Sequence, residues 1–596
     1  MGVFGPPTYP VLSVNQAGSS WNPSAKSSID TKTYDYIIVG GGTAGCVLAS
    51  RLSEDPNVSV LVLERGPVHD AWYSRVPLIS SDLTSKATPV VFTPSAPIAG
   101  ANGKTLEVVH TEALGGGSTV NAMLVTRGFI GDFDRWAKLG HPSWSYEALK
   151  PYFMKSEKSL SHEGDWRGHS GPLVNQTSPL NATIHTSVQT AASELGYKIT
   201  TDINDPDISV DVCATLDEAV DQKLRRVSAY NAYLPPEVAY ERGQRLKICT
   251  KAVATQVEFE DGVAVGVVFE ASGKSIPGTF YARARKEIVV CSGAIGSPQL
   301  LLLSGIGPQE HLKEHEVPVV VDLPGVGSHL QDHLGIPLMY EVPGWDSVHY
   351  LGYSAWRGFW EFGKYMLGYP GVLGSTVAPI SIFAHSSHVD QQTGRVVKPT
   401  AQSSASDRCP DIEIMTMACI STDVIRPPHM GVFSFLLCNL QPKSVGTVRL
   451  ASTDPHKRPE VDLNFLSNAE DYGPLRIGIL ISRRVANRAA ANGYPIKEWK
   501  LPASESDDDV DQFIRKELRT CLHYTSTCRM APRGDGGVVD DSLRVYGVRG
   551  LRVCDTSVFP CITSAHTMVP AITVAERCAD LMKAAAKRDG MEDKLI

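Results

Sequence analysis

The feature that most constrains this chain is a β-α-β pattern wrapped around a cluster of glycines. Tyr34 to Val39 (YDYIIV) is a short apolar run, rich in β-branched residues, that stops at Gly40. Thr43 to Leu52 follows with helical spacing, and Asn57 to Leu63 (NVSVLVL) is a second apolar run. Two strands joined in this way lie parallel with a right-handed crossover. The turn between them, Gly40-Gly41-Gly42-Thr43-Ala44-Gly45, fits G-x-G-x-x-G. Its glycines serve a tight turn, close backbone approach to a pyrophosphate and close helix packing. Thr43 and Ala44 open the helix, whose free N–H groups and partial positive charge suit phosphate. Glu64 stands 19 residues after Gly45, near the spacing of ~20 at which an acid accepts from a ribose hydroxyl. Gly40, Gly42, Gly45 and Glu64 therefore predict a dinucleotide, either NAD or FAD.

Composition narrows the alternatives. At roughly 150 residues per domain, 596 residues allow four domains. With 42% hydrophobic and 20% charged residues, the chain can bury a large core. The net charge of −8 gives no electrostatic footprint for nucleic acid. The one dense basic cluster, Arg283 to Lys286, leads into an apolar run and reads as a strand entrance. No apolar run reaches the roughly 18 residues that span a bilayer. The N-terminus shows no leader pattern, so an intracellular protein is expected, or a secreted one if a leader has been removed. Asn57, Asn175 and Asn181 fit the glycosylation pattern, which matters only on secretion. The twelve cysteines sit mostly in apolar runs and read as small buried hydrophobes.

Several further segments point one way. Leu114 to Asn121 (LGGGSTVN), Gly293 to Gly307 (GAIGSPQLLLLSGIG), Asp322 to His333 (DLPGVGSHLQDH), Pro442 to Leu450, Asp454 to Asn464 and Leu551 to Asp580 resemble, in order, the signature blocks of the glucose–methanol–choline (GMC) family of FAD-dependent oxidoreductases. Within it the chain is similar to the aryl-alcohol oxidase and glucose oxidase type found in fungi. The resemblance runs in blocks from residue 34 to about 585 and is thin across 337–440. It implies a mixed α/β fold: a Rossmann-like FAD-binding domain with an inserted substrate domain on an antiparallel sheet, like p-hydroxybenzoate hydroxylase. The four domains allowed by length reduce to two. The implied division is an irregular arm at 1–33, an FAD-binding domain at 34–336 with inserted segments about 137–225, a substrate domain at 337–540, a return at 541–585 and a tail at 586–596.

By the same resemblance, Ser118 and Asn121 lie near the flavin ring, and Gly117 and Ala122 beside them are expected to bind the cofactor. Asp555 and Thr567 lie on the pyrophosphate and pyrimidine side, and the backbone of Val253 lies near the adenine. Thr567-Met568 starts a helix whose dipole can stabilise negative charge at the flavin N1/C2 carbonyl. Two departures stand out. Thr111-Glu112 replaces a small residue followed by a basic one, which alters the pyrophosphate surroundings. Val120 stands where some members attach FAD through histidine, so non-covalent FAD is expected.

His523 (CLHYTSTCRM) and His566 (SAHTMVP) fall at the family's catalytic histidine and its partner. They are 43 residues apart, so only the fold can bring them together. Alcohol oxidation removes the hydroxyl proton and moves a hydride to flavin N5. An imidazole near pKa 6.5 can take that proton, and a second can orient the hydroxyl. His523 is expected as base and His566 as partner. The expected substrate is a primary alcohol, aryl or allylic rather than sugar, and the electrons pass to O2 or another acceptor. A sugar oxidase or dehydrogenase, a lyase or cyclase with redox-silent FAD, and a non-enzymatic or light-responsive FAD protein remain alternatives. The histidine pair speaks against the last. His311 and His315 have helical metal-site spacing but no third ligand nearby, so no metal is expected.

Two local expectations complete the reading. Residues 431–440 and 445–450 read as strands separated by a turn, after a long polar loop at 386–407. The acidic run 504–512 reads as a helix N-terminus capped by Ser504.

Overall fold

In the computed structural model, the described residues are 9–22, 27–28, 30–86, 88–178, 182–273, 276–352, 354–397, 408–420, 427 and 430–592. The side chains of residues 27–28, 352 and 589–592 are outside the description.

The first apolar runs form β1 (Lys32–Val39) and β2 (Val60–Leu63), with α1 (Thr43–Leu52) crossing between them. Ile37, Ile38, Val60 and Val62 are fully buried, as strands covered on both faces require. Two later strands, β3 (Leu246–Cys249) and β4 (Thr279–Val290), join in the order β3-β2-β1-β4. All these pairings are parallel, and the segment Leu551–Val553 adds a further parallel strand beside β4. Chain segments separated by hundreds of residues therefore build one dinucleotide-binding sheet. After β4 comes α2 (Gly293–Leu303), and after the last strand α3 (Met568–Glu592), which packs on α1.

The second sheet is mainly antiparallel. Its centre is β5 (Leu334–Val342), β6 (Ile380–Ala384), β7 (Ile412–Met417) and β8 (Gly431–Asn439), in the order β6-β7-β8-β5. It has its own core, with Leu338, Ile382, Ile414, Phe435 and Leu437 at or near zero exposure.

Several boundaries differ from the sequence reading. The arm is not irregular where described: Val14–Ala17 is helical, and Ser19–Asn22 pairs with β4 at Phe280 and Tyr281. Pieces this short show no periodicity, and tertiary pairing makes them regular. The boundary at 336/337 falls inside β5, because Leu334 already pairs with Asn439. Strands Lys198–Thr200 and Val212–Thr215, from the inserted segments, join the second sheet through β6. The C-terminal tail is helical to Glu592. Both expected strands are present, at Gly431–Asn439 and Thr447–Arg449, and the second pairs with Glu460–Asp462 rather than with β8. The acidic run does start a helix, Asp507–Glu517, but the N-cap is Ser506, whose Oγ accepts from Asp509 N at 3.3 Å. Ser504 instead bonds the Asp509 carboxylate at 2.5 Å. Of the expected polar loop, residues 398–407 lie outside the described residues, and Ser386–His388 is a helical turn. Asn175 is fully buried and its amide donates to Glu157 Oε1 at 3.1 Å, while Asn181 lies outside the described residues.

Candidate active site

A cavity of about 660 Å³ opens along the C-terminal ends of β1, β2 and β4 and runs to the edge of the second sheet. Gly40, Gly42, Thr43, Ala44 and Glu64 line one end, and Gly117, Ser118, Asn121 and Ala122 the middle. Asp555, Thr567, Met568, His523 and His566 line the other side. Gly45 is outside the lining and serves close packing instead, since a Cβ there would stand 1.9 Å from the Gly40 carbonyl oxygen. Val253 is also outside it, but Ala252 and Ala254 on either side line the cavity, which leaves its backbone between them.

The wall fits a dinucleotide. Gly42 caps α1 without any side chain, so the first-turn N–H groups are left for a ligand. A Cβ on Gly117 or Gly293 would meet nothing within 4 Å, so both positions leave room for one. Glu64 accepts from Gly41 N at 2.8 Å and Gly66 N at 2.7 Å. Burial lifts its carboxyl to about 7, against the pull of those N–H groups. Asp555 binds the entrance of α2 by accepting from Gly293 N at 2.8 Å and Ser297 Oγ at 2.5 Å. His110 Nε2 is buried in the wall with no hydrogen-bond partner among the described residues, and a polar cofactor group would satisfy it.

The departure at Glu112 has a physical account. Glu112 sits between two guanidinium groups, pairing with Arg458 and lying 3.6 Å from Arg65. Positive charge at this end of the cavity thus comes from Arg65, after β2, and from Arg458 in the C-terminal half. Arg458 belongs to a strap, residues 454–459, of which Pro455, Arg458 and Pro459 line the cavity. Arg65 Nη2 donates to Pro455 O at 2.8 Å, and Gln299 Nε2 donates to Lys457 O at 2.8 Å. Burial, then the charges of Arg458 and Arg65, push His110 down to about 3.

The two predicted histidines meet. The His523 and His566 rings have centroids 5.0 Å apart and stand at 83°. His523 follows a short strand, Arg519–Thr520, that pairs with the start of β5, and its backbone N–H donates to Asp332 Oδ1 at 2.7 Å. His566 immediately precedes Thr567 and α3, and its N–H donates to Thr126 Oγ1 at 2.8 Å.

Each histidine has a partner that the sequence reading missed. His333 Nε2 lies 3.0 Å from the Thr563 carbonyl, and its Nδ1 lies 2.9 Å from His523 Nδ1. A carbonyl only accepts, which assigns the His333 proton to Nε2. His333 Nδ1 then accepts, His523 Nδ1 donates, and His523 Nε2 keeps its lone pair. Burial first, then His333 and His566, hold His523 well below the usual imidazole range. His566 Nε2 stands 3.1 Å from Glu413 Oε1, which also accepts from Ser381 Oγ at 2.8 Å. Burial alone would raise Glu413, but His566 and Ser381 outweigh it and hold the carboxyl below its ordinary value. His333 lay inside a recognised block but carried no sign of contact. Glu413 falls where the resemblance was thin.

Arg226 was also missed. It is buried, donates to Asn121 Oδ1 at 2.7 Å and Asn121 O at 2.6 Å, and fixes the turn that carries Ser118 and Asn121. His311 Nε2 accepts from Leu450 N at 3.0 Å, so this histidine ties two segments together.

A glycine turn at a helix N-terminus, the buried Glu64 carboxyl beside it and a facing pair of imidazoles in one cavity make the arrangement of a nucleotide-dependent oxidoreductase. Residues 34–335 match the N-terminal GMC oxidoreductase domain and residues 442–575 the C-terminal one. The chain belongs to the GMC oxidoreductase family, whose members are FAD-dependent flavoproteins. It is 32% identical over 550 residues to the oxygen-dependent choline dehydrogenase of Brucella ovis, covering 92% of this chain and 95% of that one. An FAD-dependent oxidoreductase from Chaetomium thermophilum superposes with a TM-score of 0.79 at 26% identity, covering 93% of this chain and all (100%) of that one. A fungal aryl-alcohol oxidase shares the fold at a TM-score of 0.76 and 24% identity, covering 92% and 98% of the two chains.

Proposed function

We propose that the protein oxidises a primary alcohol, aryl or allylic, to the aldehyde, with non-covalently held FAD and with O2 or another acceptor taking the electrons. The observation that carries this reading is the buried His523 ring, with Nδ1 2.9 Å from His333 Nδ1 and its face set against His566 inside the cofactor cavity. When bound, FAD supplies the two-electron chemistry by accepting the hydride from the substrate carbon. The protein's part is acid–base and positional. His523 Nε2 takes the hydroxyl proton. Ionised Glu413 receives the His566 Nε2–H and fixes that ring as hydrogen-bonding partner of the substrate oxygen. Gly42, the first turn of α1, Glu64 and Arg226 with its Ser118–Asn121 turn hold the cofactor. Val120 offers no nucleophile for a covalent link.

The substrate class rests on the wall beside the histidines. Glu413, Met415 and Met417 alternate on one face of β7, and Leu436 pairs with Met415. Met415, Met417 and Leu436 with Val377 and Leu83 make an apolar wall suited to an aromatic or allylic group, where a sugar needs many polar partners. Choline, named for the bacterial relatives, is a quaternary ammonium that aromatic faces recognise. Apart from histidines, Tyr524 is the one aromatic residue among the described lining residues.

The test is anaerobic mixing with a panel of benzylic, allylic and sugar alcohols. The flavin band should bleach fastest with benzylic or allylic alcohols and return on admission of O2 or an artificial acceptor. A flavin that stays oxidised with every alcohol rejects the reading in favour of redox-silent chemistry.

A further inference from the structure

Two sulfurs meet beside the reacting histidines. Cys521 Sγ lies 3.0 Å from Cys438 Sγ, within reach of a thiol hydrogen bond, and both thiols are free. Neither the cofactor cradle nor the proton transfer described above uses them. Cys438 is buried on β8, whereas Cys521 is partly exposed. Among the described residues three cysteines are partly exposed, Cys419, Cys521 and Cys561, and of these Cys521 is the one that lines the reaction cavity. One sulfur is therefore open to a small solute in the cavity, and the other stands behind it. The hydrogen bond to Cys521, then burial, holds the Cys438 thiol well above its usual range. That leaves Cys438 as the S–H donor and Cys521 as the sulfur that reacts first.

The strand register brings the pair together at a glycine. Cys438 stands beside Gly335 of β5, and Gly335 beside Arg519, two residues before Cys521. A Cβ on Gly335 would stand 3.0 Å from Cys521 Sγ and 3.3 Å from Leu436 Cδ1. Gly335 is not among the positive-φ glycines, so its backbone does not demand glycine; the room for the sulfur does. On its other side Cys438 stands beside Glu413, the acid that bonds His566. The Cys521 N–H donates to the His333 carbonyl at 3.0 Å. Leu522, at φ 63°, then links Cys521 to His523 through the left-handed region that leucine rarely adopts. A turn held in that conformation from both ends has little slack, so a displacement of Cys521 carries over to His523.

We propose that Cys438 and Cys521 form a redox-active dithiol that hydrogen peroxide closes to a disulfide, and that closing it draws His523 out of line and slows the reaction. Cys521 gives up its proton and attacks one peroxide oxygen. The O–O bond breaks, the departing hydroxide leaves with that proton as water, and Cys521 becomes the sulfenic acid. The Cys438 sulfur then attacks the Cys521 sulfur. The S–S bond forms, the S–O bond breaks, and the hydroxyl leaves with the Cys438 proton as a second water. Two thiols lose two electrons and one peroxide gains them. Peroxide from any source suffices, so the disulfide does not depend on the alcohol chemistry above; only its effect on the rate rests on that reading.

The experiment treats the FAD-loaded protein with dilute hydrogen peroxide, removes the excess, alkylates the remaining thiols in denaturant and maps the peptides by mass spectrometry. Anaerobic flavin reduction by a reactive alcohol is followed alongside. The expected result is a peptide pair linked through Cys438 and Cys521, with reduction slowed about tenfold or more, well within what a misplacement of about 1 Å costs. Dithiothreitol should reverse both. Cys438→Ala should reduce its flavin at the wild-type rate before peroxide. After peroxide it should lack the linked pair and carry the Cys521 sulfenic acid, trapped as its dimedone adduct. Wild-type protein in which both cysteines are still alkylated after peroxide overturns the inference. So does linked protein that reduces its flavin at the untreated rate. A slowing that dithiothreitol does not reverse assigns the effect to oxidation of Met415 or Met417 in the same cavity, and overturns it too. If no alcohol bleaches the flavin, the proposed reaction fails while the linked peptide still decides the site.

Discussion

His333 Nδ1 lies 2.9 Å from His523 Nδ1, and this contact determines which nitrogen of His523 can act as a base. Because His333 is itself anchored through Nε2 to the Thr563 carbonyl, the proton on His523 is fixed at Nδ1. In the proposed reaction His333 is a positioning residue, since it would act on the substrate only through the ring that it orients.

Replacing His523 by Ala should slow anaerobic flavin reduction by a factor of ~10² or more, the usual contribution of a positioned general base. FAD content should be unchanged, because the glycine cradle is untouched. Stopped-flow reduction with a benzylic alcohol measures this, and a near-normal rate would remove His523 from the base role.

The pH profile tests the His333 contact. His523 is held well below its ordinary value, so it stays unprotonated as pH falls past 6.5, and the reduction rate should be level down to that region. His333→Asn removes one of the two imidazoles whose proximity depresses it. The His523 pKa should rise, and the acid limb should move upward toward neutral pH. An acid limb that does not move assigns His333 to packing alone.

The strap makes a prediction about the cofactor. Arg458→Ala removes a guanidinium from the cavity end and one of the ties on residues 454–459. FAD should dissociate roughly tenfold faster, the scale of one charge-assisted contact. Glu112→Ala should also speed release, by leaving Arg65 and Arg458 unscreened from each other. Flavin fluorescence on dilution follows both variants, and unchanged release would separate the strap from cofactor retention.

Glu64 gives a second pH dependence, again on the acid side but read in FAD retention rather than in the reduction rate. Burial lifts it to about 7, whereas accepting ribose hydroxyls favours its ionised form. FAD binding should release a proton from Glu64, so retention should weaken as pH falls from about 7. Glu64→Gln should weaken binding and flatten that dependence. A variant that keeps the wild-type slope would point to another group.

The sequence alone determined the local elements and the cofactor. Tyr34–Leu63 carries its own strand, glycine turn and helix signals within thirty residues, so β1, α1 and Glu64 were legible from neighbours in the chain. The family blocks identified His523 and His566 as chemical groups but not their surroundings. Only the tertiary structure put His333 against His523, Glu413 against His566 and Arg458 against Glu112. These pairs are 190, 153 and 346 residues apart, and their geometry comes from strand registers that no local periodicity encodes. Sequence fixes which side chains are available; the fold decides which are desolvated together, and desolvation sets the charge and tautomer with which they act.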